Sequence, residues 1–285
     1  MSGSRRGPWP APAPIPVLLY HAVMDDPPDW IAEFTVTPRD FAAHLDAVTA
    51  SGRTPVTISA LTGRGEVRGG RTPRPPLPAR PVVLTFDDGF ADLPGPTAEA
   101  LAARSLPATA YLTTGAITPG LTSLLPPGPM MTLARAPTLE GYGMEVGAHT
   151  VTHAQLDTLT PAALHRELRD AKAALEDTLG HEVAHLAYPH GYNSRAVRRA
   201  AARVGYASAV AVRHAHTSEG DEPYRIARLI VRRTHTAADV ESWMAGGPAA
   251  GERARTAPFP DSPLTAGWRL YRRARARIRG PEFAG

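Results

Sequence analysis

The chain has 285 residues, of which 43% are hydrophobic and 20% charged, so it can bury a sizeable core and is neither disordered nor fibrous. It contains no Cys, which excludes disulfides, thiolate metal sites and thiol catalysis. The formal net charge is +4, yet residues 251–285 alone carry eight Arg against three acidic residues. The basic character therefore belongs to the C-terminal segment, and the rest of the chain is close to neutral.

Short apolar runs alternate with helical patterns along most of the chain. The runs are continuous, as in strands buried on both faces of a parallel sheet. The predicted strands are 15–20, 55–58, 82–86, 108–113, 144–148, 183–188, 207–212 and 229–231. Three helices are delimited by the caps and ends Thr37-Pro38 with Gly52, Thr160-Pro161 with Gly180, and Asn193 with Gly205. This alternation predicts a (β/α) barrel or a doubly wound sheet.

Segments rich in Pro, Gly and Arg delimit the folded part. Residues 1–14 are predicted to form a disordered Pro-rich tail, and 64–81 a long surface loop. Residues 246–285 are predicted to form a linker and a basic Arg-rich tail, with a short helix at 268–279. One catalytic domain is therefore predicted at 15–245.

The N-terminal segment has Arg5 and Arg6 but no apolar core of a signal peptide. No run approaches the about 18 apolar residues of a membrane-spanning helix. As written, the sequence predicts a cytoplasmic protein; a misassigned start would instead allow export.

Titratable side chains follow four of the predicted strands. They are His21, the pair Asp87-Asp88, His149 and His190. In barrel enzymes the chemistry gathers at the carboxyl ends of the strands. This pattern favours the barrel over the doubly wound sheet, and we expect these side chains to lie together.

Two short motifs suggest a metal site. The adjacent carboxylates of Asp87 and Asp88 repel each other, so the pair is stable mainly if a cation neutralises one of them; the alternative is an ordinary Asp-Asp-Gly turn. His149 and His153 are four residues apart, a spacing that one helical turn would bring onto one face.

A third motif, His-Glu-x-x-His at 181–185, matches the zinc-protease pattern, which requires a helix. Here Gly180 ends the preceding helix, and 183–188 is predicted to be a strand. On a strand, His181 and His185 would lie about 13 Å apart, too far to share a metal. We therefore reject a metalloprotease.

Taken together, three segments resemble the NodB-type polysaccharide deacetylases, carbohydrate esterase family 4. Residues 85–89, 149–153 and 187–192 occur in the order and spacing of that family. The opening segment 16–21 also resembles the branch that acts on poly-N-acetylglucosamine. The resemblance covers about 15–244. It implies a distorted (β/α) barrel of the polysaccharide deacetylase type that removes N-acetyl groups from an N-acetylglucosamine-containing polysaccharide or its precursor.

The resemblance also implies the central site. By position, Asp88, His149 and His153 would bind a divalent metal, with Zn²⁺ preferred and Co²⁺, Ni²⁺ or Mn²⁺ as alternatives. Asp87 would be the general base. Independent chemistry agrees, because two imidazoles and one carboxylate leave a position for water on such a metal.

The third segment is expected to complete the site. By resemblance, the backbone N–H of His190 would hold the oxyanion, and Tyr188, Pro189 and Tyr192 would bind substrate. Many family members have an Arg at the start of this segment that tunes the base. This chain has Leu186-Ala187 there, so the tuning of the base must come from elsewhere or be weaker.

The general acid is assigned to His21. In most relatives it is a His in a Leu-x-His segment near the C-terminal end of the domain, but no His there follows this pattern. Leu179-Gly180-His181 matches but straddles a helix end. Leu19-Tyr20-His21 ends the first strand, where a barrel would direct it into the site, and resembles the circularly permuted arrangement of the poly-N-acetylglucosamine branch.

Other functions remain open. A related enzyme would hydrolyse a sugar O-acetyl ester or a small cyclic amide. A protein without catalysis would be a metal-free carbohydrate binder, or a basic adaptor that docks on a membrane or nucleic acid. The expected partner is an N-acetylated sugar polymer, with no nucleic acid and with a weak anionic-membrane or partner contact through the Arg-rich tail.

Overall fold

The structure, a computed structural model, describes residues 14–63, 76–218, 221–248 and 263–280. The predicted N-terminal tail, except for Pro14, lies outside these residues. So do 64–75 of the predicted surface loop and 249–262 of the predicted linker.

Eight parallel strands form the described sheet, and seven of them close into a barrel. Their bounds are β1 Val17–Tyr20, β2 Thr54–Pro55, β3 Pro81–Phe86, β4 Ala108–Leu112, β5 Met144–Ala148, β6 His185–Ala187, β7 Ser208–His214 and β8 Ile226–Ile230. Strand β1 pairs with both β3 and β8, while β3 to β8 pair in sequence order. The short β2 extends the sheet beside β3. The barrel predicted from the strand ends is confirmed.

Helices connect these strands on the outside of the barrel. The described α-helices are α1 Pro38–Ala50, α2 Ile58–Thr62, α3 Ala98–Ala102, α4 Thr114–Ile117, α5 Ala136–Gly141, α6 Pro161–Leu179, α7 Arg195–Val204, α8 Ala237–Met244 and α9 Pro263–Arg279. The predicted caps of α1 and α6 are confirmed, because the hydroxyls of Thr37 and Thr160 accept hydrogen bonds from the backbone N–H groups of Asp40 and Ala163.

The predicted cap of α7 was wrong by one residue. The hydroxyl of Ser194, not Asn193, accepts the hydrogen bond from the backbone N–H of Val197. Asn193 instead offers its carbonyl and side-chain oxygens to the guanidinium of Arg198. Both residue types cap helices well, so the sequence alone did not distinguish them.

Alternate residues of each barrel strand face the interior, and this determines which side chains reach the site. On β3, Val83 belongs to the inner apolar cluster and Leu84 to the cluster beneath the helices. Because side chains alternate along a strand, Thr85 and then Asp87 follow Val83 on the inner side. The strand thus directs the first carboxylate of the Asp pair into the barrel.

Helix α9 packs against the short turn Leu156–Thr158, close after the second His of the 149–153 motif. The predicted basic helix at 268–279 is therefore present and begins a few residues earlier. Among the described residues, no helix combines the length and apolar character needed to cross a membrane.

Candidate active site

The predicted catalytic and metal-binding residues lie at one end of the barrel. His21 follows β1, Asp87 and Asp88 follow β3, His149 follows β5, and His190 lies just beyond β6. Since all the strands are parallel, these carboxyl ends point the same way. The expectation that the strand ends bring these side chains together is confirmed.

Asp87 forms a bidentate ion pair with Arg228, which projects from β8. Nη1 and Nη2 of Arg228 donate to Oδ1 and Oδ2 of Asp87, each at 2.7 Å. Arg228 is completely buried, and its Nε donates to the carbonyl of Ala211. Two parallel charge-assisted hydrogen bonds hold the carboxylate in one orientation.

This ion pair determines the charge of Asp87. Burial by itself would raise the pKa of Asp87, but the guanidinium of Arg228, together with His149 and His21, holds that pKa below its usual range. Asp87 is therefore ionised at neutral pH. A general base has to be in this state to accept a proton.

Arg228 is a site residue that the sequence analysis missed. It lowers the pKa of Asp87, an effect that the sequence analysis expected from the segment at Leu186-Ala187. Arg228 lies 141 residues after Asp87 in the chain. The predicted strand 229–231 began three residues too late, because β8 begins at Ile226, and this left Arg228 outside the prediction. The available signal was a lone Arg within an apolar run, because an Arg in a strand buried on both faces requires a carboxylate partner.

Asp88, His149 and His153 form a buried triangle beside this pair. Oδ1 of Asp88 lies 3.5 Å from Nε2 of His149 and 3.4 Å from Nε2 of His153. One possible ligand atom from each residue lies within 4.8 Å of the other two. The triangle adjoins the base, since Nε2 of His149 is 3.7 Å from Oδ2 of Asp87.

These three residues fit a divalent metal. Within the described part of the chain, Oδ1 of Asp88 is buried without a hydrogen-bond donor. Burial and the neighbouring Asp87 carboxylate raise the pKa of Asp88 well above its usual range, while burial lowers the pKa values of His149 and His153. A cation among them would relieve the cost of the buried carboxylate, and the neutral imidazoles are the form that binds metal.

Backbone contacts orient the two imidazoles. Nδ1 of His149 donates to the carbonyl of Ala187 on the next strand at 2.9 Å, so its Nε2 faces Asp88. Glu167 on α6 holds the loop between the two His: it accepts the backbone N–H groups of Val151 and Thr152 at 3.0 and 2.9 Å. The ligand spacing thus results from a loop anchored by a helix.

Strained backbone is concentrated at this site. Among the described residues, five that are not Gly have positive φ, and four of them are Asp88 (72°), Thr150 (67°), His153 (64°) and His190 (54°). Such conformations cost about 1–3 kcal/mol each and persist where the surrounding structure requires them. The two His of the motif therefore meet through a tight turn, not through the helical turn that the spacing suggested.

His21 lies within electrostatic range of this group. Its ring packs on Phe34 with centroids 5.4 Å apart, and its Nδ1 is buried with no hydrogen-bond partner among the described residues. Burial lowers the pKa of His21 to about 4, against the opposing charge of Asp87. His21 is therefore neutral at pH 7, and its ring lies within the electrostatic influence of Asp87, Arg228 and His149.

The third segment, residues 187–192, has some side chains near the candidate site and others in the core. The ring of His190 contacts that of His153 with centroids 4.7 Å apart, and Tyr192 lies 6.1 Å from His190. Tyr188 and Pro189 are buried, and the Tyr188 hydroxyl donates to the carbonyl of Tyr224 at 3.2 Å. Tyr188 therefore belongs to the apolar core, and the contact of Tyr188 and Pro189 with substrate stays a prediction.

The rejected protease motif is also placed. His185 lies on β6, where its ring contacts the hydroxyls of Ser59 and Ser208 at 2.7 and 2.8 Å. Nε2 of His181 contacts Glu140. Among the described residues, the candidate metal group contains neither of them. The prediction that this motif is not helical is confirmed.

Residues 74–209 match the family model for polysaccharide deacetylase. The chain therefore contains a domain of the polysaccharide deacetylase family. The prediction of a hydrolase of this family is thereby confirmed. The matched residues contain Asp87, Asp88, His149 and His153, whereas His21 and Arg228 lie outside them on the two strands that close the barrel.

Individual relatives agree with this membership. YxkH of Bacillus subtilis (strain 168), whose name marks it as a candidate polysaccharide deacetylase, is 24% identical over 77% of this chain and 72% of its own. The fold resembles the Streptococcus pyogenes deacetylase PplD in complex with acetate, with a TM-score of 0.68 at 23% identity over 82% of this chain and 99% of PplD. It also resembles a de-N-acetylase from Aggregatibacter actinomycetemcomitans, with a TM-score of 0.62 at 20% identity over 78% and 96%.

Proposed function

We propose that this member of the family removes N-acetyl groups from an N-acetylglucosamine-containing polysaccharide or its precursor, with a divalent metal. The observation that carries the proposal is the buried triangle of Asp88, His149 and His153 beside the ionised Asp87. A metal site next to an ionised base is the arrangement that hydrolysis of an unactivated amide needs.

The donor set favours Zn²⁺, with Co²⁺, Ni²⁺ and Mn²⁺ as alternatives. Two imidazoles and one carboxylate are a common catalytic set for these ions and leave one position for substrate or water. When bound, the metal would polarise the acetyl carbonyl and lower the pKa of the attacking water.

The chain's own residues move the protons. Asp87, held ionised by Arg228, removes the proton from the attacking water while the water oxygen bonds to the acetyl carbon. His21, neutral at the start because burial lowers its pKa to about 4, receives that proton and passes it to the sugar nitrogen as the C–N bond breaks. Acetate and a free amine result, and the protons balance.

The backbone of the third segment stabilises the charge that develops on the carbonyl oxygen. His190 has a positive φ, and Gly191 lies so close to Val212 that a Cβ on it would be 2.4 Å from the Val212 nitrogen. A backbone N–H held in this way needs little reorganisation during the reaction. His190 therefore acts through its backbone, with Tyr192 beside it.

The choice of an N-acetyl group over an O-acetyl ester rests on His21. The nitrogen of an amide must be protonated before it leaves the tetrahedral carbon, whereas a sugar alkoxide can leave that carbon without an acid. The de-N-acetylase with the same fold supports this choice. A sugar O-acetyl ester and a small cyclic amide are the competing substrates.

The test is acetate release from chitooligosaccharides, compared with acetylated xylan, by metal-loaded protein. Wild-type protein should release acetate from chitooligosaccharides. Asp87→Asn should retain the metal yet lose about 10²–10⁴-fold in turnover, because a general base contributes that much. Asp88→Ala, His149→Ala and His153→Ala should lose metal and activity together, because three ligands leave little redundancy.

The matched control is His181→Ala, which removes a partly exposed His outside the site and should leave metal content unchanged. A full metal equivalent in His153→Ala would contradict the ligand set, and metal loss in Asp87→Asn would make Asp87 a ligand. Acetate release from acetylated xylan but not from chitooligosaccharides would mean that the substrate is a sugar O-acetyl ester and not an N-acetyl group. Sugar binding without acetate release would leave a carbohydrate-binding protein.

A further inference from the structure

Helix α9 is attached to the barrel through its charged side. Nη1 and Nη2 of Arg272 donate to the two carboxylate oxygens of the buried Asp157 at 2.8 and 2.5 Å, and Nη1 also donates to Gln155. Nε of Arg273 donates to the carbonyl of Asp157 at 2.6 Å. Among residues 266–279, whose burial the structure describes, Arg272 alone is buried, so the side of α9 that faces the domain is polar.

The opposite side of α9 is apolar and faces outward. Leu270, Ala274 and Ile278 follow one another at four-residue spacing, which places them in one row on a helix, and Tyr271 lies beside that row. Leu270 is 70% exposed and Ile278 is 83% exposed. Among the described residues, five large hydrophobic side chains are exposed, and four of them are on α9: Trp268, Leu270, Tyr271 and Ile278.

This orientation is the reverse of that of an ordinary surface helix, which buries its apolar stripe and exposes its charges. Here two Arg residues are used to attach the helix, and the apolar row remains uncovered. The row is bordered by further exposed Arg residues, Arg275 on one side and Arg277 on the other. No acidic residue occurs between Pro263 and Arg279.

We propose that the outward face of α9, formed by Leu270, Tyr271, Ala274 and Ile278 with Arg275 and Arg277, binds an anionic lipid surface. An apolar row bordered by Arg is the composition of helices that lie in a membrane interface. The stacked Trp268 and Tyr271 rings, 5.3 Å apart, suit the same boundary, because such side chains place an apolar body in lipid and a polar tip in water.

Two other occupants fit less well. A second copy of this face would bring two sets of Arg residues together without any acid between them, so like charges would repel. Nucleic acid would pair with the Arg residues but would leave the exposed Leu and Ile in water. An anionic lipid surface satisfies both the charge and the apolar row.

The same helix adjoins the active-site end of the barrel. The guanidinium carbon of Arg272 lies 3.6 Å from the ring centroid of Tyr192, and its charge contributes to the lowered pKa of His190. A lipid surface on α9 would therefore lie at the end of the barrel where the site opens. Resting on the proposed function, this places the substrate among acetylated glycans held at a membrane surface.

The experiment is co-sedimentation of the full-length chain with vesicles of phosphatidylcholine alone and of phosphatidylcholine with phosphatidylglycerol. Wild-type protein should bind the anionic vesicles, and binding should weaken with salt. Arg275→Gln with Arg277→Gln should weaken binding about thirtyfold, at about 1 kcal/mol per Arg near such a surface. Leu270→Ser with Ile278→Ser should weaken it more than tenfold, because the apolar row no longer inserts.

The matched control is Leu121→Ser, which changes an exposed Leu outside α9 and should bind as wild type does. Circular dichroism of the variants verifies that they fold. The proposal is overturned if the wild-type protein does not bind anionic vesicles, or if it binds neutral vesicles equally well. It is also overturned if the α9 variants bind as the wild-type protein does. A dimer abolished by the Leu270 and Ile278 changes would assign the face to a second copy. Vesicle binding needs no catalysis, so it tests the lipid-binding face even if the protein releases no acetate.

Discussion

The guanidinium of Arg228 decides the charge state of the base. Both groups are buried, and the pair meets through two hydrogen bonds of 2.7 Å, so its strength is not screened by water. Removing one partner leaves the other charge buried alone. The role of Arg228 is that of a positioning residue, since it acts on the reaction through Asp87.

The Arg228 contact predicts a shift in the pH profile. Because Arg228 holds the pKa of Asp87 low, Arg228→Lys should move the acid limb of kcat/KM to higher pH: the base then stays protonated until a higher pH. Arg228→Met should move it further, at a cost of about 3–5 kcal/mol in folding stability. A uniform loss at every pH, with the limb unmoved, would show a structural role only.

The proposed role of His21 as the general acid predicts a loss of amide hydrolysis when its ring is removed. His21→Ala should retain metal but lose about 10²-fold or more in amide turnover, because the leaving amine lacks its proton donor. The loss should be smaller on an aryl acetate, whose leaving group departs without a proton. The exposed His165→Ala is the matched control. Near-normal amide turnover by metal-loaded His21→Ala would refute its role as the acid.

At the scale of elements, the site depends on a loop that one helix holds in shape. The 149–153 loop has two backbone conformations with positive φ, at Thr150 and His153, and no regular secondary structure of its own. Glu167 of α6 accepts two of its backbone N–H groups and also the Thr152 hydroxyl at 2.7 Å. The helix therefore offsets the strain that brings the two imidazoles together.

This contact predicts an effect on metal affinity from outside the ligand set. Glu167→Ala should weaken metal binding about 10–100-fold, as losses of residues that orient ligands do. Glu167→Gln keeps a carbonyl acceptor for the two N–H groups and should remain near wild type. Chelator competition measures both, with the exposed Asp177→Ala on the same helix as control. Equal affinity in Glu167→Ala would show that the loop holds its own shape.

Burial of neutral His residues makes the free energy of unfolding of the protein depend on pH. Burial lowers the pKa values of six His residues: His21, His44, His149, His153, His190 and His216. The unfolded chain therefore binds protons more readily than the native one as the pH falls below about 6.5. Asp88 and Asp92, whose pKa values burial raises, act in the opposite direction, but they are two groups against six.

The metal-free protein should accordingly lose unfolding free energy between pH 7.5 and 5.5, measured by urea denaturation with chelator present. His44 is fully buried, with its Nε2 donating to the carbonyl of His235 at 3.0 Å. His44→Gln keeps an amide donor without a titrating ring, so its stability should fall less over this range. The exposed His165→Gln should behave as wild type. An equal fall in both variants would remove His44 from the cause.

The sequence alone determined the family, the barrel and the gathering of titratable side chains at one end of it. Parallel strands deliver their carboxyl ends to one place, so titratable residues that follow apolar runs predict a common site without any knowledge of loop shapes. His21, Asp87, Asp88, His149 and His190 were predicted in this way to lie together, and they do. Capping residues likewise located the starts of α1 and α6, because a cap is a contact between near neighbours in the chain.

Only the tertiary structure decided the contacts between distant segments. Arg228 meets Asp87 across 141 residues, and closure of β8 against β1 is what makes them neighbours. The core position of Tyr188 and the outward apolar row of α9 were equally invisible, because a helical pattern reveals two faces but not which one is attached. Asp157 determines which face of α9 is attached. Its buried carboxylate needs a cation, and Arg272 on the polar side of the helix supplies one.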